Sequence, residues 1–274
     1  MDRVPDASCI AAAFHKRADA YDQHVLVQKR VTANLAALVD KRLCLEPNKI
    51  LDVGTGTGAL LERMHILYPA ASLTGVDVAY NMCLFAQQKL GAGCHIINGD
   101  AESLPFRSGS FDLVVSSSAL QWVSNLSDTL HELHRVVRPG GTISLAFFCD
   151  GTLTELQGCF RNASRRLSDE SSQTSSRLHG FWTVDEVTSI VKDMDLEEAV
   201  IALETEIDWY EDLHSLLRSI KSIGAGTVTG GTGRGLGWRG ILHESSRLYQ
   251  EQYGCNGRIP ATYKVLYLSA RTRS

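Results

Sequence analysis

Apolar residues recur at helical spacing through AAAFHKRADAYDQHVLVQKRVTANLAALVDKRL, so residues 8–46 predict one or two amphipathic helices ahead of the first strand. From Lys49 the pattern becomes short apolar runs separated by helical stretches. KILDV, ASLTGVD, CHIING reaching Asp100, FDLVVSS and TISLAFF predict five strands. ALLERMHILY, MCLFAQQKL and LSDTLHELHRVV predict helices, the last leading through RPGG into the fifth strand. Strands that are almost continuously apolar and separated by helices belong to a parallel sheet covered on both faces.

Beyond Phe148 the alternation loosens. TLTELQGCFRNASRRL predicts a helix, and the polar SDESSQTSSRLHG follows it. A normal strand-to-helix connection is much shorter than 151–182, which is therefore either a mobile surface loop or an insertion over the site, the second being the expectation. WTVDEVTSIVKDM predicts a returning helix with Thr183 as its cap and Glu186 placed for a capping box. AVIALETEIDWY and ATYKVLYLSAR predict a sixth and a last strand. Between them, GAGTVTGGTGRGLGWRG lacks the GK[ST] ending of a phosphate loop and follows no convincing strand, so a flexible glycine-rich connection is expected.

Composition narrows the class. With 274 residues, 44% hydrophobic and 21% charged, the chain can bury one sizeable core or a core with a small cap. A net charge of -4 gives no global attraction to nucleic acid or membrane, and neither is expected as a partner. The seven cysteines, at 9, 44, 83, 94, 149, 159 and 255, form no CxxC and no compact Cys/His cluster, so no metal site and no disulfide framework is expected. Cys83, Cys94 and Cys149 read as core or near-core residues of a reducing compartment. The opening MDRVPDASCIAAAF lacks the basic-then-apolar order of a secretory signal, and no uncharged run approaches a membrane span. A cytoplasmic protein is the expectation.

Candidate chemistry concentrates in ILDVGTGTGALLERMH. Gly54, Gly56 and Gly58 follow a strand and precede a helix, where glycine permits a tight turn and close approach of the backbone to a ligand. GxGxG is not the dinucleotide GxGxxG, and the glycines alone favour neither a dinucleotide nor S-adenosylmethionine. Asp52 moves the balance. It interrupts an apolar strand, where an unpaired carboxylate is costly. A negative group there opposes a pyrophosphate but suits the sulfonium and amino group of S-adenosylmethionine. Asp77 ends the second strand, placed for ribose hydroxyls, and Asp100 closes the third, placed with the Ala101 backbone for an adenine ring. Three carboxylates at three consecutive strand ends, in register with the glycine turn, converge on the crevice where open parallel sheets bind ligands.

LDVGTGTG, LTGVD, NGDAESLPF, FDLVVSSSALQW and RVVRPGG together resemble the class I S-adenosylmethionine-dependent methyltransferases over about 50–148. The resemblance implies an α/β, Rossmann-like fold with a seven-stranded, mostly parallel sheet, helices on both faces and an antiparallel last strand. It implies one methyltransferase domain over 1–274. Its parts are an N-terminal helical lid at 8–46, a cofactor-binding core at 47–148, a substrate- or carrier-facing insertion at 151–182 and the C-terminal half of the sheet at 183–274. It carries Asp52, Gly54, Gly56, Gly58, Asp77, Met82, Asp100, Ala101 and Ser116 onto cofactor-contact positions, and makes RPGG the turn before strand five.

AAAFHKRADAYDQHVLVQK, ALQWVSNLSDTLHELHRVVRPGG, GTLTELQGCF, LHGFWTVDEV, LLRSIKSIGA and PATYKVLY extend the likeness to nearly the whole chain. They resemble the malonyl-[acyl-carrier protein] O-methyltransferases of biotin synthesis, the BioC family. That resemblance implies transfer of a methyl group from S-adenosyl-L-methionine, leaving S-adenosyl-L-homocysteine, to the free carboxylate of malonyl-acyl carrier protein, with malonyl-CoA as a possible acceptor and no metal. A malonyl carboxylate is already ionised at pH 7, so no general base is required. Orientation can remove about 7–11 kcal/mol of barrier. The expected positioning residues are Tyr21 on the leading helix, Gln28 seven residues on along the same face, Gln121 and Trp122 after strand four, and the arginines of the insertion, Arg161 and Arg177 among them with Arg165 and Arg166. His15 and His24 have no evident paired acid and are expected to be structural or on the surface. A monomer is the expected state. The alternative is a class I methyltransferase acting on another small molecule such as a quinone-pathway intermediate, which would need a proton-removing group.

Overall fold

The computed structural model describes residues 26–43, 45–167, 180–222 and 236–273. Tyr21, Arg177, His15, His24, residues 8–25 and 44 of the expected lid and residues 168–179 of the insertion lie outside the described residues. The order begins α1 (Leu26–Arg42), β1 (Lys49–Val53), α2 (Ala59–Leu67), β2 (Ser72–Asp77), α3 (Tyr80–Leu90) and β3 (Cys94–Asn98). It continues with β4 (Phe111–Ser117), α4 (Leu126–Val136), β5 (Val137–Phe148), α5 (Thr154–Leu167) and α6 (Val184–Asp193). It closes with β6 (Leu196–Tyr210), α7 (Leu213–Ser222), α8 (Leu236–Tyr253) and β7 (Ile259–Thr272).

All seven strands form one sheet in the order β3-β2-β1-β4-β5-β7-β6. The pairs from β3 to β5 are parallel, whereas β7 is antiparallel to both β5 and β6. The strand order reverses at β1 and β4, so the chain leaves these two strands in opposite directions. A crevice opens there above their C-terminal ends.

Apolar alternation along each strand sends side chains to two layers. From β5, Ala146 and Phe148 join Leu35, Leu61, Phe160 and Tyr249 on one face. Ile143, Leu145 and Phe147 join Leu130, Leu133, Val187 and Val191 on the other. Each buried Leu, Ile, Val or Phe among them contributes about 1.5–3 kcal/mol. The capping box at α6 is present as expected. The Thr183 hydroxyl accepts from the Glu186 amide, and the Glu186 carboxylate accepts from the Thr183 amide. Cys83, Cys94 and Cys149 are buried.

Two expectations need correction. RPGG is not a turn ahead of β5 but an irregularity inside it. The pairing steps from Phe111↔Val137 to Leu113↔Thr142, and the extra residues bow outward. Arg138 holds the bow through an ion pair to Asp112, and the Gly140 amide donates to the Arg273 carbonyl at 3.2 Å. Of the glycine-rich stretch, residues 224–235 lie outside the described residues, but its end is not a connection, because Leu236–Gly240 open α8. Trp238 on that turn stacks on Phe160 of α5, with ring centroids 5.7 Å apart and planes within 9°. This contact fixes the turn despite its glycines.

Candidate functional site

The crevice is a cavity of about 560 Å³, lined by the ends of β1, β2 and β4, the segment after β3, and the facing sides of α1 and α2. Its centre is the turn after β1. The Gly54 and Thr55 amides both donate to the Val76 carbonyl, at 2.8 and 3.0 Å, which ties the turn to β2. Gly54 has φ +72, and a Cβ there would lie 2.2 Å from the Ala119 Cβ. Only glycine lets the loop after β4 close onto the turn. Gly58 has φ +80 at the head of α2, where a Cβ would meet Leu90 at 2.6 Å. Its role is helix packing. Gly56 has nothing within 4 Å of a built Cβ, and its amide donates to Asp77 Oδ2 at 2.8 Å.

The carboxylates are distributed along this edge. Asp52 is 1% exposed and lines the cavity. Its Oδ2 accepts from the Thr55 hydroxyl at 2.8 Å, while Oδ1 has no partner among the described residues. Burial, and then the negative charge of Asp77, push its pKa up to about 7, with the Thr55 hydrogen bond pulling the other way. Burial also raises Asp77, opposed by hydrogen bonds from the Ala79 and Gly56 amides. An orphaned, enclosed carboxylate oxygen beside a second acid calls for a cation in the cavity. Asp100 is exposed at the β3 end and accepts from the Glu102 amide at 3.0 Å. Glu102 in turn accepts from the Ser124 hydroxyl and amide, fixing that wall. Ala101 and the buried Met82 also line the cavity.

Ser116 sits behind this surface. It is fully buried and its hydroxyl donates to the Val53 carbonyl at 2.6 Å, while Ser117 and Ser118 form the cavity wall. Ser118 has φ +56, a left-handed conformation costly for a residue with a Cβ. Gln121 is buried and off the wall, and its Nε2 donates to the Ser118 carbonyl at 2.7 Å. Trp122 lines the cavity directly.

On the opposite side α1 brings Gln28, Lys29 and Thr32 to the cavity. The Thr32 and Ser117 hydroxyls share a hydrogen bond of 3.0 Å, which joins α1 to the end of β4. Arg161 is exposed on α5 and is not among the lining residues.

The structure therefore gathers Asp52, Gly54, Gly56, Asp77, Met82, Asp100, Ala101, Gln28 and Trp122 around one cavity. It sets Gly58, Ser116, Gln121 and Arg161 outside its lining. The cavity adds Thr55, Glu102, Ser117, Ser118, Thr32 and Lys29, which sequence reasoning passed over. The run of three serines ending β4 and the Asp–Thr pair bracketing Gly54 were the signals available for some of them. Among the described residues no group of three or more His, Cys, Asp or Glu could hold a metal ion, and no helix is long and apolar enough to cross a membrane.

A methyltransferase domain family model matches residues 51–145. The malonyl-[acyl-carrier protein] O-methyltransferase of Geobacter sulfurreducens is 39% identical over 264 residues, covering 96% of this chain and 97% of that protein. The biotin biosynthesis bifunctional protein BioHC of Teredinibacter turnerae is 31% identical over 96% of this chain, which corresponds to 46% of the longer protein. Among solved structures, the YcgJ protein of Bacillus subtilis superposes with a TM-score of 0.58 at 19% identity, over 88% of this chain and 99% of that one, and shares the fold.

Proposed function

The chain belongs to the malonyl-[acyl-carrier protein] O-methyltransferase family, and from that premise we propose that it methylates the free carboxylate of malonyl-acyl carrier protein in biotin synthesis, with S-adenosyl-L-methionine as methyl donor. The observation that carries this reading is the end-to-end match at 39% identity, which includes the segments outside the methyltransferase core. The cavity supports the donor. The orphaned Oδ1 of Asp52 is a suitable partner for a cation, Asp77 for ribose hydroxyls, and Asp100 with Ala101 for an adenine edge. The bare Gly56 leaves room for a chain to pass the turn.

When bound, S-adenosylmethionine supplies an electrophilic methyl group on a sulfonium, and in-line transfer to a carboxylate oxygen leaves S-adenosylhomocysteine. The residues of the chain bind, orient and exclude water. Asp52 and Asp77 make the cavity favourable to positive charge. Ser118, Ala119 and Trp122 form the wall facing α1, and Gln121 fixes that wall by holding the Ser118 carbonyl. Gln28 faces it from α1. No side chain is asked to remove a proton, because a carboxylic acid of ordinary pKa is ionised at neutral pH. Positioning and stripping water from the carboxylate supply the rate.

Expression in a bacterium lacking its own malonyl-carrier methyltransferase tests the reading. Growth without added biotin is expected. Continued biotin dependence with abundant folded protein in the cells would contradict it.

A further inference from the structure

The proposed reaction brings two carboxylates to this cavity, one on the amino-acid tail of the donor and one on the acceptor. The arginines of α5 are placed elsewhere. Arg161 and Arg165 are exposed and do not line the cavity, and Arg166 is paired with Glu244 at 2.8 Å. The cations lining it, among the described residues, are Lys29, Arg63 and Lys89. Lys89 is engaged with Glu62 at 3.0 Å. Arg63 and Lys29 are both exposed at the rim, Arg63 on α2 three residues before Ile66, which is 74% exposed.

Lys29 is held differently. It lies on the first turn of α1, between Gln28, which lines the cavity, and Arg30, which points away to β6. Arg30 bonds Glu206 at 2.6 Å and Asp208 at 2.8 Å, and Thr32 bonds Ser117 at 3.0 Å. These contacts fix the rotation of α1 from both sides and keep residue 29 on the cavity. Its ammonium makes no ion pair with another described residue. The far end of the cavity carries Asp100 and Glu102, which repel an anion toward the α1 end.

We propose that Lys29 is a carboxylate anchor of this cavity, its ammonium receiving the carboxylate that arrives beside Gln28 and Thr32. The assignment rests on the methyltransferase reading above. The same chemistry is presented by the tail of the donor and by the malonyl group, and the test separates them. Binding of S-adenosylhomocysteine and of 5′-methylthioadenosine, which lacks the amino-acid tail, is measured by calorimetry on wild type, Lys29→Ala and Lys29→Arg. The KM for malonyl-acyl carrier protein is measured on the same three proteins.

If the donor tail is the ligand, Lys29→Ala weakens S-adenosylhomocysteine about ten- to hundredfold, the range for losing a hydrogen bond to a charged group. Methylthioadenosine is unaffected and Lys29→Arg restores most of the loss. If the malonyl group is the ligand, S-adenosylhomocysteine is unchanged, and the KM for the acceptor rises and is rescued by arginine. A folded Lys29→Ala with both constants at wild-type values overturns the proposal, as does equal loss of both nucleosides. Wild type that binds neither nucleoside would overturn the methyltransferase reading itself.

Discussion

Replacing Asp52 by asparagine is predicted to make the protein more stable and a poorer binder. The enclosed carboxyl titrates at about 7 instead of 3.8, chiefly because burial disfavours its charge and secondarily because Asp77 repels it. Between those values the folded chain holds a proton that the unfolded chain has released. The contribution of Asp52 to stability is therefore fully present below about pH 4 and lost as pH rises through about 7. A gap of about 3 pH units is worth about 4 kcal/mol. Asparagine keeps the shape and an oxygen for the Thr55 hydroxyl but has no charge to bury. Without ligand, Asp52→Asn should exceed wild type by about 4 kcal/mol at pH 8 and by about 1–2 kcal/mol at pH 5. Urea unfolding at the two pH values measures this, provided the denaturant slope is unchanged. Affinity for S-adenosylhomocysteine, whose amino group is cationic, should fall in the same variant. An advantage that is the same at pH 8 and pH 5, or a variant less stable than wild type at pH 8, would refute the reasoning.

Two further substitutions test the geometry of the turn and of the wall. Gly54→Ala must adopt a left-handed backbone and push aside Ala119, 2.2 Å away, and should cost about 2–5 kcal/mol in urea unfolding. Gly56→Ala meets nothing within 4 Å and should cost only the backbone strain, about 1–2 kcal/mol, so equal losses would disprove the contact. Gln121→Leu removes the bond to the Ser118 carbonyl and should lower kcat about tenfold while S-adenosylhomocysteine binding stays within about twofold. A parallel loss of binding would place Gln121 on the donor side instead.

The sheet was legible because its central strands are buried on both faces and their apolar runs stand out. The helix Leu213–Ser222 was equally written in its sequence, with Leu213, Leu216 and Ile220 on one buried face, although it runs directly into a glycine-rich stretch of no clear period. The first turn of α8 depends on Trp238 meeting Phe160, a contact between residues far apart in the chain. The site divides in the same way. Asp52 was visible as a charge inside an apolar strand, and Asp77 and Asp100 as acids at strand ends. Lys29 was indistinguishable from Arg30, because which one faces the cavity is decided by Glu206 and Asp208, some 176 residues away. Ser116 and Ser118 differ by two places on one strand end. Only the twist and the left-handed Ser118 decide which serine forms the wall.

The central claim is the acceptor, and mass spectrometry of carrier protein tests it most directly. Purified protein is incubated with S-adenosylmethionine and either malonyl- or acetyl-acyl carrier protein, and the acyl groups are weighed. The expected result is the gain of one methyl group on malonyl-carrier, as an ester, and none on acetyl-carrier, which has no free carboxylate. An unchanged malonyl group, or methylation of both carriers alike, would contradict it.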